Sequence, residues 1–306
     1  MEPFVIHILG CGSALPTLRH YPAMQIVEIR GKQFMVDCGE GAQLQLRRHH
    51  IRFTRLSHVF ISHQHGDHCL GLVGMISSFG LLDRTAPLHI YGTSALGNMV
   101  RQQLDFFCPH PSFEVCWHDV DPEQHCVVYE DRSLTVETLP LSHTVPCCGY
   151  LFREKPTQPH IRPEMLRCYD IPVSQVPNIK GGADGVTPDG QVVPASKLTF
   201  PADPPRSYAY CSDTCYLPQL HSLLKGVTTL YHEATYGADR VDNARKYMHS
   251  TAAQAATVAR DAGVGHLLLG HYSQRYDDET VLLREAQAIF PNTMLTQEMQ
   301  SIDVAP

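Results

Sequence analysis

The sequence predicts an α/β domain in which two sheets pack face to face with helices on their outer sides. Strand-like runs and helical periodicity alternate through the first hundred residues, and a similar strand–loop–helix rhythm returns between Tyr208 and Ile289. With 306 residues, 43% of them hydrophobic, the chain can bury the core of one large domain or of two fused halves. Two alternating halves of this kind are typical of layered α/β architectures.

In the first half, apolar runs separated by turn residues predict strands, and 3.6-residue periodicity predicts helices. A glycine-rich turn, Gly10-Cys11-Gly12-Ser13, follows the first strand, and Asp37-Cys38-Gly39-Glu40-Gly41 follows the third. The predicted strands are 4–9, 24–29, 34–36, 58–62 and 88–91, and the predicted helices are 42–49 and 71–82.

In the second half, the pattern predicts strands at 207–211, 228–232 and 266–270 and a strong helix at 250–262. Ser250 or Thr251 can cap that helix. Between the halves lies Arg153 to Pro205, with ten prolines and little periodicity. We expect a helix near 163–169 and an extended or mobile arm, so that residues 1–306 form one domain with a flexible arm inserted at about 153–205. A disordered surface loop and a functional arm both fit this segment.

Charge and composition exclude several classes of protein. The 24 basic and 31 acidic residues give a net charge of −7, which argues against a protein that coats nucleic acid non-specifically, although a local basic patch remains compatible with a nuclease. The apolar runs are too short to cross a bilayer, and residues 1–7 do not resemble a secretory signal. The eleven cysteines form no Cys-x-x-Cys pair, so we expect reduced thiols in a cytoplasmic protein that does not contact a membrane.

The strongest chemical signal is His63-Gln64-His65-Gly66-Asp67-His68, directly after the predicted strand 58–62. Imidazole and carboxylate ligands suit zinc, with manganese or iron as competitors. Six residues cannot enclose two metals, and three further candidates follow strand-like runs: His143, Asp213 and His271. The ordinary alternative is a loop decorated with polar residues.

This order of ligands at strand ends resembles the metallo-β-lactamase superfamily over nearly the whole chain, which implies an αβ/βα four-layer sandwich. Further stretches bring the resemblance closer to the ribonuclease Z family. They are Gly12-Ser13-Ala14-Leu15-Pro16-Thr17, Phe34 to Gly41, His232-Glu233-Ala234-Thr235, His249-Ser250-Thr251 and Ser273-Gln274-Arg275-Tyr276. The last three are more specific than the histidine cluster, which marks only the superfamily.

The resemblance implies two zinc ions per subunit. One would be bound by His63, His65 and His143, and the other by Asp67, His68 and His271, with Asp213 as the bridge. It also assigns Asp67 as the general base.

The resemblance further favours Glu233 and His249 as the pair that delivers a proton to the leaving group, and Asp37 as a support of the metal ligands. A buried ion-pair partner, a residue at a helix start and an ordinary turn aspartate are the respective alternatives.

The implied substrate is precursor tRNA, cleaved at its 3′ trailer by a homodimer in which the arm of one subunit holds the tRNA for the other. Four arginines between Arg47 and Arg55 can contact phosphates. The arm carries few basic residues, Ile171 to Pro177 only loosely matches the family's Gly-Pro stretch, and His20-Tyr21 stands where relatives usually have Arg-Asn. A small-molecule phosphodiesterase or sulfatase, or a non-catalytic metal-binding RNA protein, are the alternatives.

Overall fold

The computed structural model describes residues 2–305 and contains two sheets of seven strands each, together with two two-stranded ladders. The strands, in chain order, are β1 (Phe4–Gly10), β2 (Met24–Ile29), β3 (Lys32–Val36), β4 (Leu56–Phe60), β5 (Leu88–Gly92), β6 (Val115–Asp119), β7 (Val127–Glu130), β8 (Leu134–Pro140), β9 (Cys148–Glu154), β10 (His160–Ile161), β11 (Gly185–Val186), β12 (Val192–Val193), β13 (Thr199–Phe200), β14 (Ser207–Cys211), β15 (Thr229–Glu233), β16 (His266–Gly270), β17 (Thr293–Leu295) and β18 (Ser301–Asp303).

The helices lie between these strands. They are α1 (Ala42–Arg48), α2 (Gly66–Cys69), α3 (Gly71–Leu81), α4 (Ser94–Phe107), α5 (Pro163–Cys168), α6 (Val176–Lys180), α7 (Ala195–Leu198), α8 (Leu220–Leu223), α9 (Val241–Tyr247), α10 (Ala252–Ala262) and α11 (Thr280–Gln287), with short 3₁₀ turns at Phe53–Arg55, Val173–Gln175 and Ala238–Arg240.

Each sheet combines antiparallel and parallel pairing. The first has the order β18-β1-β2-β3-β4-β5-β6 and is parallel from β3 to β6. The second has the order β17-β16-β15-β14-β9-β8-β7 and is parallel from β14 to β17. Since the carboxyl ends of parallel strands meet at one edge of a sheet, the residues after β14, β15 and β16 lie close together.

The two sheets pack against each other through large buried side chains. Phe34 of β3 and Phe152 of β9 lie with ring centroids 5.8 Å apart. The hydroxyl of Tyr150 donates to the carbonyl of Ile61 at 2.8 Å, so a polar group in this interface has a partner. Helices α1, α3 and α4 cover the outer face of the first sheet through an apolar cluster that includes Leu46, Leu72 and Leu96.

On the second sheet, α10 places a stripe of small residues against the strands, with Ala255, Ala256 and Ala259 buried. Of the two predicted caps, Ser250 and Thr251, it is Thr251 that caps the helix. Its hydroxyl accepts from the backbone N–H of Gln254 at 3.2 Å while the Gln254 side chain accepts from the Thr251 backbone at 2.9 Å. The helix–sheet–sheet–helix layering confirms the predicted fold class.

The segment Glu154–Pro205, with Arg132–Leu134, forms a compact unit distinct from the rest of the described chain. It has its own small apolar core, which contains Leu166, Ile171, Ile179, Val193 and Leu198. The predicted helix near 163–169 is α5. The side chain of Gln175 donates to the carbonyl of Val186 and accepts from its N–H, both at 2.8 Å.

All eleven cysteines are free thiols. Among residues 2–305, no helix is both long enough and apolar enough to span a membrane.

Candidate active site

The structure brings His63, His65, His143 and Asp213 together, with one ligand atom from each lying within 4.8 Å of the others. Nε2 of His63 lies 3.0 Å from Nδ1 of His65, and Nε2 of His143 lies 3.2 Å from that same nitrogen. The four residues come from the loops after β4, β8 and β14. Three imidazoles and one carboxylate are a donor set that suits a divalent transition metal.

Asp67, His68 and His271 form a second group, again within 4.8 Å of one another. Asp213 lies between the groups. Its Oδ2 faces Nε2 of His63 at 3.6 Å and of His143 at 3.5 Å, while its Oδ1 faces Nε2 of His68 at 3.2 Å and of His271 at 2.9 Å. One carboxylate therefore presents a separate oxygen to each group.

Two of these histidines have an outer ring nitrogen that is committed as a donor. Nδ1 of His68 donates to the Asp37 carboxylate at 2.7 Å, and Nδ1 of His143 donates to the carbonyl of Met248 at 3.1 Å. Neither acceptor can donate, so the inward Nε2 atoms of neutral rings carry lone pairs. Converging lone pairs and carboxylates repel one another unless a cation lies among them. The residues present therefore fit a site for divalent metal.

Protonation would neutralise the same site when no metal is bound. Burial would lower the pKa of His271, but Asp213 more than offsets it and raises that pKa to about 10. In contrast, burial lowers the pKa of His63 and of His143. A bound cation would displace the proton from His271, so metal binding and proton release are linked.

Asp37 is buried behind the candidate ligands and accepts four hydrogen bonds from three residues. Besides His68, it accepts from the backbone and the hydroxyl of Ser62 at 2.7 and 2.9 Å and from the hydroxyl of Tyr210 at 2.8 Å. The Ser62 hydroxyl in turn contacts Nδ1 of His63 at 2.9 Å. Asp37 thereby orients one histidine of each group.

Three of these residues have a left-handed backbone: Asp37, Asp213 and His271, with φ of 56°, 60° and 59°. Each follows the end of a strand. This conformation is uncommon for residues with a side chain and turns the chain sharply, so that the side chain points over the edge of the sheet.

Glu233 and His249 form a buried pair beside the two groups. Nδ1 of His249 donates to Oε1 of Glu233 at 2.8 Å, and that oxygen also accepts from the backbone of Thr214 at 2.7 Å. Burial would lower the pKa of His249, but the Glu233 carboxylate raises it above its ordinary value. The pair therefore favours a protonated imidazole at the site.

All of the partners of Asp67 within residues 2–305 contact its Oδ2. The backbone N–H of Ala14 donates to this oxygen at 2.7 Å, and Nε2 of His68 and of His271 lie at 3.4 and 3.6 Å. Asp67 and His249 line a cavity of about 370 Å³ together with the candidate ligands His65, His143, Asp213 and His271. Its rim also includes Ser13–Leu15 and Ser273–Arg275. The site therefore opens to a substrate on this side.

The sequence did not single out several supporting groups, namely Ser62, Thr235 and the carbonyl of Met248. The Thr235 hydroxyl donates to Oε2 of Glu233 at 2.6 Å and accepts from Nδ1 of His271 at 3.0 Å. Thr235 thus joins the Glu233–His249 pair to the candidate ligand His271. Thr235 belongs to the stretch His232-Glu233-Ala234-Thr235, in which the resemblance assigns a role to Glu233 alone.

The basic segment Arg47–Arg55 begins at the end of α1. The Arg47 guanidinium lies over the ring of Phe53, 5.3 Å from its centroid, and Arg48 donates to the hydroxyl of Tyr21 at 2.9 Å. Arg52 and Arg55 are exposed. The segment therefore adjoins the loop that carries Ala14.

Comparison with known proteins places this geometry in a family. A family model described as "Anti-Pycsar protein Apyc1" matches residues 4–108. Among solved structures, human tRNase Z, short form, superimposes with a TM-score of 0.71 at 21% identity, covering 99% of this chain and 100% of that one. Yeast PDE1 gives a TM-score of 0.61 at 12% identity, covering 99% and 100%. At these identities the likeness concerns the fold, which is that of metallo-β-lactamase proteins.

Curated relatives are much closer in sequence. The protein named Ribonuclease Z from Bacteroides fragilis is 53% identical over 298 residues, which are 97% of this chain and 98% of that protein. The Ribonuclease Z of Phocaeicola vulgatus is 53% identical over 304 residues, covering 99% and 98%. Identity at this level over nearly the full length shows that the chain belongs to the ribonuclease Z family.

Proposed function

We propose that this protein is an endoribonuclease that removes the 3′ trailer of precursor tRNA by hydrolysis, leaving a 3′-hydroxyl on the tRNA and a 5′-phosphate on the trailer. The observation that carries the proposal is the joint presence, on one cavity, of two ligand groups and a carboxylate–histidine pair. A metal centre suits many hydrolases, whereas a proton donor beside it suits a substrate with a poor leaving group, such as a ribose oxygen. Relatives named Ribonuclease Z support the choice of substrate.

The metals in this proposal are two zinc ions per subunit, with manganese or iron as substitutes. His63, His65 and His143 would hold one and Asp67, His68 and His271 the other, with Asp213 donating one oxygen to each. When bound, such a pair of cations lowers the pKa of a water molecule and neutralises charge on the phosphodiester.

Asp67 accepts the proton of the attacking water in this mechanism. Its Oδ2 is held by the backbone of Ala14 and by the neighbouring imidazoles. Contacts with positive and donor groups keep the pKa of Asp67 well below its usual range despite burial, so the side chain is a carboxylate at neutral pH. Its Oδ1 is then the oxygen that faces the water.

His249 delivers a proton to the departing 3′-oxygen. The Glu233 carboxylate fixes Nδ1 as a donor, which leaves the protonated Nε2 for the substrate. Glu233 is in turn held by Thr214 and Thr235, so the pair has little freedom to rotate. General-acid catalysis of this kind contributes roughly 10²–10⁴ to the rate.

Substrate binding is assigned to two regions. Exposed arginines of the segment Arg47–Arg55 would contact phosphates near the cavity. The unit Glu154–Pro205 would act as the arm that holds tRNA, in a homodimer located in the cytoplasm. The free thiols agree with a reducing compartment.

The proposal is tested by mapping the products of one precursor tRNA while measuring metal content. We expect a single cut at the 3′ side of the tRNA, with two equivalents of zinc per chain. A preparation that carries zinc and hydrolyses bis(p-nitrophenyl) phosphate but leaves precursor tRNA intact would refute the substrate.

The arm is tested by deleting Lys155–Thr199. Arg153 and Ser207 pair directly across β9 and β14, so the remaining residues can close a short loop between these strands. We expect cleavage of precursor tRNA to collapse while hydrolysis of bis(p-nitrophenyl) phosphate survives. Equal loss of both activities would count against a separate binding arm.

A small-molecule phosphodiesterase or sulfatase is the second candidate, and the net charge of −7 and the few basic residues of the arm suit it. Turnover of cyclic nucleotides without cleavage of precursor tRNA would decide for it.

A further inference from the structure

A second cluster of titratable side chains lies outside the metal centre. It consists of Cys11, His20, Glu279 and Glu298. Nδ1 of His20 lies 3.0 Å from Oε2 of Glu298 and 3.4 Å from Sγ of Cys11, and Nε2 of His20 lies 3.3 Å from Oε1 of Glu279. The side chains of His20, Glu279 and Glu298 are only 11%, 12% and 14% exposed, so solvent screens them little.

Both ring nitrogens of His20 therefore face a carboxylate. An ionised carboxylate only accepts hydrogen bonds, so both nitrogens must donate, and the ring is an imidazolium. The other groups of the cluster agree with this charge. Arg19 pairs with Glu279 at 3.0 Å, and the thiol of Cys11 donates to the carbonyl of Thr296. Burial would lower the pKa of His20, but Glu298 and Glu279 raise it above its ordinary value.

The cluster closes the loop Gly12–Tyr21 at its base. Oε1 of Glu298 accepts from the backbone of Tyr21 at 2.9 Å and from that of Cys11 at 3.4 Å, which are the two chain segments that enter and leave the loop. The N–H of Gly12 donates to the carbonyl of Tyr21 at 2.9 Å. The loop is thus tied to Glu298 by its backbone and by the His20 side chain.

The same loop reaches the active site. Ala14, with a left-handed φ of 55°, donates its N–H to Oδ2 of Asp67 at 2.7 Å. On the other side of the loop, Arg19 donates to the carbonyls of Tyr276 and Asp277, next to the cavity rim formed by Ser273–Arg275. The position of Ala14 therefore depends on how the base of the loop is held.

We propose that His20 is a positioning residue, whose imidazolium bridges Glu279 and Glu298 and so holds the N–H of Ala14 on Oδ2 of Asp67. This inference rests on the proposed function, because it assigns Oδ1 of Asp67 to the attacking water. If the bridge is lost, two buried carboxylates are left without their common partner, and the loop moves away from Asp67.

The test compares His20→Gln, which is neutral, with His20→Arg, which keeps a charge and several donors. The exposed His110 provides the matched control, His110→Gln. Steady-state hydrolysis of bis(p-nitrophenyl) phosphate gives kcat and KM separately. Metal content by mass spectrometry, Tm, and cleavage by chymotrypsin after the exposed Leu18 are measured on the same preparations.

We expect His20→Gln to lower kcat at least ~10-fold, since small misplacements of a catalytic group are costly. KM and metal content should stay near the parental values. Tm should fall, because two carboxylates lose their common charge partner, and cleavage after Leu18 should accelerate. His20→Arg should restore both kcat and resistance to cleavage, and His110→Gln should match the parent.

Three results would overturn the inference. One is a His20→Gln variant with the parental kcat. Another is a His20→Arg variant that folds but does not regain the parental kcat. The third is the loss of a metal equivalent in His20→Gln, which would make Cys11, His20 and Glu298 a metal site instead. If the parental protein hydrolyses no phosphodiester, the proposed function is overturned and this inference falls with it. That result is distinguishable from the other three, because they concern only the His20 variants.

Discussion

Asp37 accepts a hydrogen bond from Nδ1 of His68 at 2.7 Å, and neither side chain is exposed to solvent. This contact leaves Nε2 of His68 as the nitrogen that points toward Asp213 and the candidate metal site. Because Asp37 also holds Ser62, and Ser62 contacts His63, one buried carboxylate orients one histidine in each of the two candidate ligand groups.

Replacing Asp37 by Ala should weaken metal binding by roughly 10–100-fold, the usual effect of removing the partner of a ligating histidine. Competition with a chromophoric chelator measures the affinity. Asp105→Ala, an exposed change on α4, provides the control. Unchanged affinity in the Asp37 variant would mean that the ligands are oriented without it.

His249→Ala should lower kcat for precursor tRNA by roughly 10²–10⁴, with metal content unchanged, because the ribose oxygen then leaves without a proton. Bis(p-nitrophenyl) phosphate has a leaving group that departs readily as an anion, so its hydrolysis should fall far less. Comparison of the two substrates on one preparation separates proton delivery from general damage. A parallel loss on both substrates would contradict the assigned role.

Glu233→Gln should move the alkaline limb of the kcat profile to lower pH. Glu233 raises the pKa of His249, so the proton is retained at higher pH in the parent than in the variant. Activity that needs protonated His249 is present below this pKa and is lost as pH rises through it. An alkaline limb that does not move in Glu233→Gln would exclude His249 as its origin.

The double change Arg52→Glu and Arg55→Glu should raise KM for precursor tRNA and leave hydrolysis of bis(p-nitrophenyl) phosphate near the parental rate. Each lost phosphate contact should also reduce the salt dependence of binding, by about one unit of the log–log slope. Arg101→Glu on α4 repeats the charge reversal at another exposed position. Equal effects at both places would indicate only a general electrostatic contribution.

Much of the architecture was predictable because its strands are short, buried and bounded by turn residues. The strands 24–29, 207–211 and 266–270 were predicted with the bounds that the structure has. The strand predicted at 58–62 lies instead at Leu56–Phe60, and Ile61 and Ser62 follow it outside the regular strand pairing. An apolar pattern does not mark this strand end, because both residues are buried like the strand itself.

The candidate ligands were predictable because each follows a strand, and strand ends share an edge. The contacts that hold these candidate ligands and the loop Gly12–Tyr21 in place were not predictable from the sequence. His20 is separated by 259 residues from Glu279 and by 278 from Glu298, so no local sequence pattern predicts their contact. The apolar core of the arm was not predicted, for a similar reason. Leu166, Ile179 and Leu198 come from three helices that are too short to show helical periodicity in the sequence.

The left-handed backbone of His271 has a consequence for engineering. A histidine in this conformation is strained by about 1–3 kcal/mol, whereas glycine adopts it freely. Glycine would relieve that strain, but it would also leave the buried Asp213 without its partner at 2.9 Å and remove a candidate ligand in the same step. Engineering for a higher Tm should therefore keep His271 unchanged, or should measure the activity of each variant as well as its Tm.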